Sequence, residues 1–296
     1  MPIRSENLPL KNELAVTELI TQFRHENEWL GAVKSKPEWL NNDVIKIPVR
    51  GLAPKVLINN TVYPIASQQR EDGKVIISLN KYETENTEVT TDELYALPYE
   101  KVSDVQVQHR ETLEDRTAEH ALVSIAPQKN TSKTPVIVTT GEDDGTGRKR
   151  LIAKDLIRLK KLLDKLKVPK KGRVLVLCSD HVADLLIEDL AFKTRYQDAN
   201  SGKIADNYYG FEIYESTYAP TYHNGEKEAF GAVPQGKEAS IVFHKSYTVK
   251  AVGSAERYAR EKNSNPEGRK HTIGFEMHFV CVAIKDEGTA AIISGS

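Results

Sequence analysis

The most regular hydrophobic pattern of the chain lies near its middle. Aliphatic residues recur there at spacings of four, three, four and three, which predicts a helix with one apolar face over residues 151–168. They are Ile152, Leu156, Leu159, Leu163 and Leu166. A Pro and a Lys-Lys-Gly turn end this helix. The apolar run VLVLC that follows predicts a buried strand over residues 173–178. Ser179 or Asp180 is expected to cap a second helix that ends near residue 192, with Val182, Leu185, Leu186 and Leu190 inward.

Shorter apolar runs predict strands on both sides of these helices. The expected strands cover residues 135–139, 210–214, 240–244, 247–252 and 289–293. A longer strand near the C-terminus alternates apolar and polar side chains, so Phe275, Met277, Phe279 and Cys281 share one face, opposite Glu276 and His278. Strands and helices alternate in the middle of the chain, which indicates an α/β unit followed by a mainly β segment.

Two segments contain too few apolar residues to form a core of their own. Residues 43–90 predict a long hairpin or extended loop with a tight turn at Asp72-Gly73 and a charged tip formed by Arg70, Glu71, Asp72 and Lys74. Residues 91–125 predict a long, mostly polar helix whose middle has one large apolar residue, Leu113. A two-stranded projection and a polar helix of this kind each need a neighbour to lie on.

The first 42 residues predict an arm. Its helix, over residues 11–28, has a narrow apolar stripe, and a helix of this length is marginal without a packing partner. Trp29 and Trp39 follow in a polar stretch. These aromatic side chains dock either on another subunit or on the core of their own chain, and the sequence favours neither.

Charge and cysteine content narrow the classes of function. The 296 residues include 41 basic and 42 acidic side chains, whereas a protein that chiefly coats nucleic acid is clearly basic. Both cysteines, Cys178 and Cys281, lie in apolar runs, which predicts buried thiols in a reducing compartment. The N-terminus lacks the apolar segment of a signal peptide, and no apolar run approaches the roughly 20 residues that span a bilayer. We expect no membrane contact.

A glycine-rich loop over residues 141–147 follows a predicted strand and precedes a helix, which is the context of a phosphate-binding loop. Its glycine spacing is wrong for that motif, and Arg148 stands where the lysine would be. Asp143 and Asp144 would repel a phosphate. We therefore expect a surface loop, and no cofactor is predicted.

Side chains in and just before the second helix are of the types found in metal-binding or catalytic sites, but their surroundings in the sequence favour structural roles. His181, Asp184 and Glu188 share one face, as metal ligands would, yet acidic residues near a helix start are favoured by the helix dipole. We therefore expect these three residues to lie on a solvated helix face. Cys178 precedes His181 by three residues but ends an apolar run, so an inert, buried thiol is expected. The basic face of the first helix is interpreted as solvated or as a subunit contact rather than a nucleic-acid site. No catalytic or metal-binding residue is predicted.

Four segments together resemble the major capsid proteins of tailed bacteriophages. In chain order they are KYETENTEVTTDELYALPYEKVSD, from residue 81; VPKKGRVLVLCSDHVADLLIED, from residue 168; NYYGFEIYESTYAP, from residue 207; and EASIVFHKSYTVKAV, from residue 238. Each segment is moderately specific, and their order and spacing are more specific than any one of them. The resemblance covers residues 43–294.

The resemblance implies an α+β capsid fold that tailed phages share with herpesviruses and encapsulin shells. In this fold the axial domain is an α/β unit inserted into a peripheral domain, which contains a long spine helix. The implied divisions are an N-terminal arm over 1–42, an extended β loop over 43–90, a discontinuous peripheral domain over 91–128 and 236–296, and the axial domain over 129–235.

The resemblance also implies a structural role without enzymatic activity. The chain is expected to assemble with copies of itself into hexamers and pentamers, which close into an icosahedral shell around double-stranded DNA. Expected partners are a portal protein and a separate scaffolding protein, and the expected location is the virion capsid, assembled in the host cytoplasm. Inter-subunit contacts are expected at Trp29, Trp39, Arg70, Glu71, Asp72 and Lys74, and an interior face at Arg110 and Arg116. A crosslink through Lys74 is suggested by position alone and is not assigned.

Two other functions remain open on the sequence. An encapsulin-type compartment has the same fold and a different cargo. An α/β enzyme would use the 141–147 loop or His181.

Overall fold

The computed structural model describes residues 28–41, 44–49, 73–90, 101–197, 203–261, 264, 267–268 and 270–295. Its helices are α1 (Glu28–Gly31), α2 (Lys101–Ile125), α3 (Ala153–Lys165), α4 (Ser179–Glu188) and α5 (Leu190–Gln197). Its first strands are β1 (Lys34–Ser35), β2 (Leu40–Asn41), β3 (Val44–Val49), β4 (Gly73–Ser78), β5 (Asn80–Glu83), β6 (Thr87–Thr90), β7 (Val136–Val138) and β8 (Arg173–Leu177). The remaining strands are β9 (Lys203–Tyr208), β10 (Phe211–Glu215), β11 (Thr221–His223), β12 (Glu226–Lys227), β13 (Lys237–His244), β14 (Thr248–Arg260), β15 (Lys270–Ala283) and β16 (Thr289–Ile293).

Strand β8 lies near the centre of an eight-stranded mixed sheet and is buried along its whole length. It pairs in parallel with β10 on one edge and antiparallel with β13 on the other. Because successive side chains of a strand point to opposite faces, Val174 and Val176 join one apolar cluster while Leu175 and Leu177 join another. The four consecutive apolar residues of β8 therefore separate two cores.

Helices α3, α4 and α5 cover the face of the sheet that carries Leu175 and Leu177. The inward residues of α3 are Leu156, Leu159 and Leu163, as the spacing predicts. The second predicted helix is broken at Asp189, whose carboxylate accepts hydrogen bonds from the amides of Ala191 and Phe192 and starts α5. This new start turns Phe192 inward and leaves Leu190 79% exposed, so the predicted inward position of Leu190 is wrong.

The opposite face of the eight-stranded sheet packs on α1, on the C-terminal part of α2 and on β15. Trp29 is 1% exposed there, and its ring meets Phe243 edge-on with centroids 6.1 Å apart. The prediction that Trp29 contacts another subunit is therefore wrong. Its indole fills a space between two sheets of its own chain, which periodicity cannot reveal.

A five-stranded sheet is built on β14 and β15, which pair over most of their length. Along the other edge of β15 lie β5 and β6, and β1 pairs with β14. Phe275, Met277, Phe279 and Cys281 are all buried, as the alternation predicts. The long helix α2 packs against β15, and its 25 residues span about 37 Å.

Strands β2, β3 and β4 form a third sheet whose inner face packs on the β14–β15 pair through Ile45 and Ile47. Gly73 lies in β4 opposite Val49, so the tight turn predicted at Asp72-Gly73 is wrong. The residues between β3 and β4, which include Arg70, Glu71 and Asp72, lie outside the described ranges.

Strand pairing crosses the expected domain limit at residue 235. β13 pairs with β8 and β16, and β16 pairs with β7, so β13 and β16 belong to the same sheet as β7 and β8, which lie before that limit. The physical reason is that buried β8 needs hydrogen-bond partners on both edges, and hydrophobic pattern does not identify the strand that supplies the second edge.

A lysine from another element caps the C-terminus of α2, which has no basic residue in its own last turn. The Lys227 ammonium donates to the carbonyl oxygens of Val123 and Ala126 at 2.7 and 2.8 Å. The last carbonyls of a helix have no partner within the helix and carry partial negative charge, so a cation there is favourable. Burial lowers the pKa of Lys227.

We predict that Lys227→Met lowers the free energy of unfolding of the dissociated subunit by about 1–2 kcal/mol, because two half-buried carbonyls lose their charged donor. Urea denaturation measures this change. Lys129→Met is the control, since the exposed Lys129 ammonium lies 3.7 Å from the exposed carboxylate of Glu226 and a pair of this kind contributes little. Equal effects of the two substitutions would contradict the capping role.

Candidate assembly surfaces

The outer face of the β3–β4 hairpin carries an apolar side chain that its own chain does not cover. Residues directly opposite in the register share a face, so Lys46, Lys74, Ile76 and Ser78 point away from the buried Ile45. Ile76 is 57% exposed, and Lys74 is exposed beside it. An exposed β-branched residue on an edge strand is a candidate contact for another chain.

A second uncovered apolar area lies where α4 meets α5. Ile187 is 66% exposed and is close in sequence to the exposed Leu190. Val233, in the loop between β12 and β13, is also exposed, whereas Phe230 of that loop stacks on His120 of α2 with centroids 4.5 Å apart. Sequence periodicity missed the α4–α5 area because the break at Asp189 was not predicted.

The other predicted contact residues differ in their surroundings. The Trp39 ring is half-buried against the β3–β4 sheet, with the Lys36 ammonium 5.3 Å from its centroid. On α2, the Arg116 guanidinium donates to Glu119 at 2.7 Å and lies 5.6 Å from the Phe230 ring. Arg110 is half-buried on the same helix. The assignment of these residues to an interface or an interior face stays a prediction.

The glycine-rich loop binds its own carboxylates. The amides of Gly145 and Gly147 donate to Asp143, and the amide and hydroxyl of Thr146 donate to Asp144. In a phosphate-binding loop these amides would point at the ligand, and here the protein supplies the anion itself. This geometry does not favour nucleotide binding.

Arg148 joins the glycine-rich loop to α4. Its guanidinium donates to both carboxylate oxygens of Asp184, at 2.7 and 2.6 Å, and also to Asp144. The amide of Leu151 adds a further bond to Asp184. Asp184 is buried, so it is the anchor of this loop and not part of the solvated helix face predicted for it.

His181 and Cys178 are also structural. The His181 ring is fully buried, with Nδ1 2.6 Å from the Ser240 hydroxyl and Nε2 3.0 Å from the Ser294 hydroxyl. Burial raises the pKa of Cys178 to about 12, so the thiolate that a nucleophile requires is not formed near neutral pH. Among the residues that the structure describes, no cluster of three or more His, Cys, Asp or Glu side chains is placed to hold a metal ion. Within the same ranges no helix is long and apolar enough to cross a membrane.

Solved structures of other proteins share this architecture. No protein-family model and no curated protein matches the chain. The capsid of Ralstonia phage GP4 matches with a TM-score of 0.64 and 10% identity, over 90% of this chain and 87% of that chain. The mature capsid of bacteriophage PhiM1 matches with a TM-score of 0.59 and 13% identity, over 92% and 86%. A virus-like particle from Pyrococcus furiosus matches with a TM-score of 0.57 and 10% identity, over 95% and 99%.

These likenesses cover nearly all of both chains, and at such low identity they establish the fold. The protein has the α+β fold found in phage capsids and in a virus-like particle, and this part of the expected resemblance is confirmed.

We predict that Ile76→Asp lowers particle formation by at least about tenfold, because a carboxylate on this face would lose its hydration when a neighbouring chain covers it. Electron microscopy and sedimentation count the particles. Circular dichroism is expected to show an unchanged melting temperature for the subunit, since Ile76 makes little contact within its own chain. Ile76→Val is the control and should assemble normally. Normal assembly of the Asp variant would exclude this face as a contact.

We predict that the buried His181 lowers the free energy of unfolding at acidic pH. Burial lowers its pKa to about 4 in the folded chain, against about 6.5 when unfolded. Below pH 6.5 the unfolded chain binds a proton that the folded chain does not, so stability decreases as the pH falls from 6.5 to 4, by about 3 kcal/mol in total. Urea titrations across this window measure the slope. His181→Asn should flatten it, whereas the exposed His223→Asn should not, and identical slopes in all three proteins would contradict the prediction.

Proposed function

We propose that this protein is the major subunit of a capsid of the tailed-phage type, which assembles with copies of itself into hexamers and pentamers and encloses double-stranded DNA in an icosahedral shell. The observation that carries the proposal is the likeness to capsid subunits over about nine tenths of the chain, with most of the matched chain also covered. In this proposal the protein is a component of the virion capsid, is assembled in the host cytoplasm and has no catalytic role.

In a shell, the parts of the fold that lack a core of their own have a role in contacts between subunits. The β3–β4 hairpin is the extended loop that lies on a neighbouring subunit, and α2 is the spine helix of the peripheral domain. The unit built on the eight-stranded sheet is the axial domain, which packs around the axis of a hexamer or pentamer. Many weak contacts of this kind, repeated by symmetry, sum to a stable assembly.

The charged faces suggest how the shell is oriented. The long helix α2 carries Arg110 and Arg116 on its polar surface, and in this proposal that surface faces the packaged DNA, to which it contributes weak, non-specific contacts. The proposal also includes a separate scaffolding protein to set the curvature during assembly and a portal protein at one vertex. Both partners are inferred from the type of capsid alone.

A second candidate is a protein-filled compartment of the encapsulin type. The virus-like particle from Pyrococcus furiosus is covered over 99% of its chain, so the fold by itself suits either cargo. The two candidates share self-assembly and differ in what the shell encloses.

We predict that the purified chain, produced alone or with a scaffolding protein from the same genome, forms rings, tubes or closed shells of uniform subunit spacing. Size exclusion and negative-stain electron microscopy show them. A chain that stays a small compact monomer at every concentration, with and without scaffold, would contradict both candidates. Nuclease-protected DNA in particles isolated from their natural source would support the capsid, and a single enclosed protein species would support the compartment.

A further inference from the structure

The exposed face of α3 has a strong excess of positive charge. Residues 151–173 contain nine Lys or Arg side chains and two Asp. Both acidic side chains already have partners, since Asp155 is buried and accepts hydrogen bonds from Thr140, and Asp164 accepts one from Arg173. The remaining eight cations are therefore available to a partner.

Four of these cations form a stripe along α3, at spacings of four, three and four residues. Lys154, Arg158, Lys161 and Lys165 are all exposed, and within the described ranges none lies in an ion pair. The stripe is about 16 Å long, from the rise of an α-helix. Ile157 lies within it and is 51% exposed, so the surface has an apolar centre as protein interfaces do. We call these five residues the basic face.

The basic face continues into an open cleft at the C-terminal end of α3. The cleft has a volume of about 540 Å³ and is lined by Lys160, Lys170 and Lys171, among others. Asp206 and Glu212 also line it, but each is paired with a lysine, Lys203 at 2.5 Å and Lys245 at 2.6 Å respectively. The cleft therefore extends the positive surface and does not neutralise it.

A complementary acidic segment lies elsewhere in the same chain. Residues 82–100 contain six acidic side chains and no basic one. In its described part, Glu83, Glu85 and Glu88 are exposed on β5, β6 and the turn between them. Glu83 and Glu88 are each paired with a lysine, at 2.8 and 2.6 Å, which offsets part of their charge. The lysine of Glu83, Lys81, is shared with Glu276, and Glu85 has no ion pair among the described residues, so the edge keeps a net negative charge. We call Glu83, Glu85 and Glu88 the acidic edge.

The two surfaces match in length as well as in sign. β5 and β6 pair one after the other with the same edge of β15, where Glu83 lies opposite Glu276 and Glu88 opposite Thr272. Four residues of β15 separate these positions, which corresponds to about 13 Å. The basic stripe of about 16 Å can therefore face all three glutamates.

One chain cannot bring its own two surfaces together. The basic face lies on the outer side of the helices that cover one face of the eight-stranded sheet, whereas β15, which carries the acidic edge, packs against the other face. The sheet and both cores separate them. The contact therefore requires a second copy, and because it joins different surfaces of the two copies it is head-to-tail, the kind of contact that closes rings.

We propose that the basic face of α3 in one subunit binds the acidic edge of the next subunit. This proposal rests on the proposed assembly into hexamers and pentamers and identifies one of the contacts that hold the ring together. Charge complementarity of this kind mainly directs partner choice and the rate of association. Assembly should therefore slow markedly as salt is raised from 0.1 to 1 M, where the screening length falls from about 10 to about 3 Å.

Charge reversal with rescue tests the proposal. One variant carries Lys154→Glu, Arg158→Glu and Lys161→Glu; a second carries Glu83→Lys, Glu85→Lys and Glu88→Lys; a third combines all six. We expect each single-surface variant to form particles at least about tenfold less well than the unaltered chain, and the combined variant to recover most of the loss. The matched control carries Lys129→Glu, Lys133→Glu and Lys193→Glu, three exposed lysines outside the basic face. Circular dichroism confirms that each variant is folded.

The outcomes separate this proposal from the one on which it rests. If the unaltered chain forms particles and the single-surface variants form them equally well, or if the combined variant is not rescued, the contact is excluded and the capsid function stands. If the variant with the reversed basic face forms shells normally but no longer binds a 30-base-pair DNA duplex, nucleic acid is the partner of that face and the proposal is wrong. If the unaltered chain forms no particles, both proposals fail.

Discussion

The structure depends on one strand being buried on both of its faces. β8 has an apolar side chain at each of its last four positions, and the pleat sends them alternately into two cores. One core holds the helices α3 to α5, and the other holds Trp29, the end of α2 and β15. Burying a strand in this way removes its backbone groups from water, so it must pair on both edges, and this requirement draws in β10 and β13.

The proposed capsid function concerns the surfaces that the two cores leave uncovered. The β3–β4 hairpin, the junction of α4 and α5 and the basic face of α3 are all exposed, although each carries side chains suited to a partner. A single chain cannot cover them because its helices and sheets are already packed on their apolar sides. In the proposed shell, copies related by symmetry would cover them.

The hydrophobic pattern predicted those helices and strands well whose position depends only on which of their sides is apolar. The spacing of Leu156, Leu159 and Leu163 located α3, and the alternation from Phe275 to Cys281 located β15, since both depend only on which side of an element is apolar. Predictions that depended on a distant part of the chain failed. Leu190 turned outward because Asp189 starts a new helix, Gly73 entered a strand, and Trp29 found its place between two sheets.

The sequence by itself determined the order of the elements, the α+β class and the absence of the spacing that a nucleotide site requires, because these follow from side-chain chemistry over short distances. It also supported a family resemblance, and the comparisons bear out the fold that this resemblance implies. Only the tertiary structure decided that β13 and β16 complete the central sheet, that Asp184 anchors a loop through Arg148, and that the basic and acidic surfaces lie apart in one chain. These facts depend on contacts between residues far apart in sequence, and hydrophobic periodicity carries no information about which distant partner is chosen.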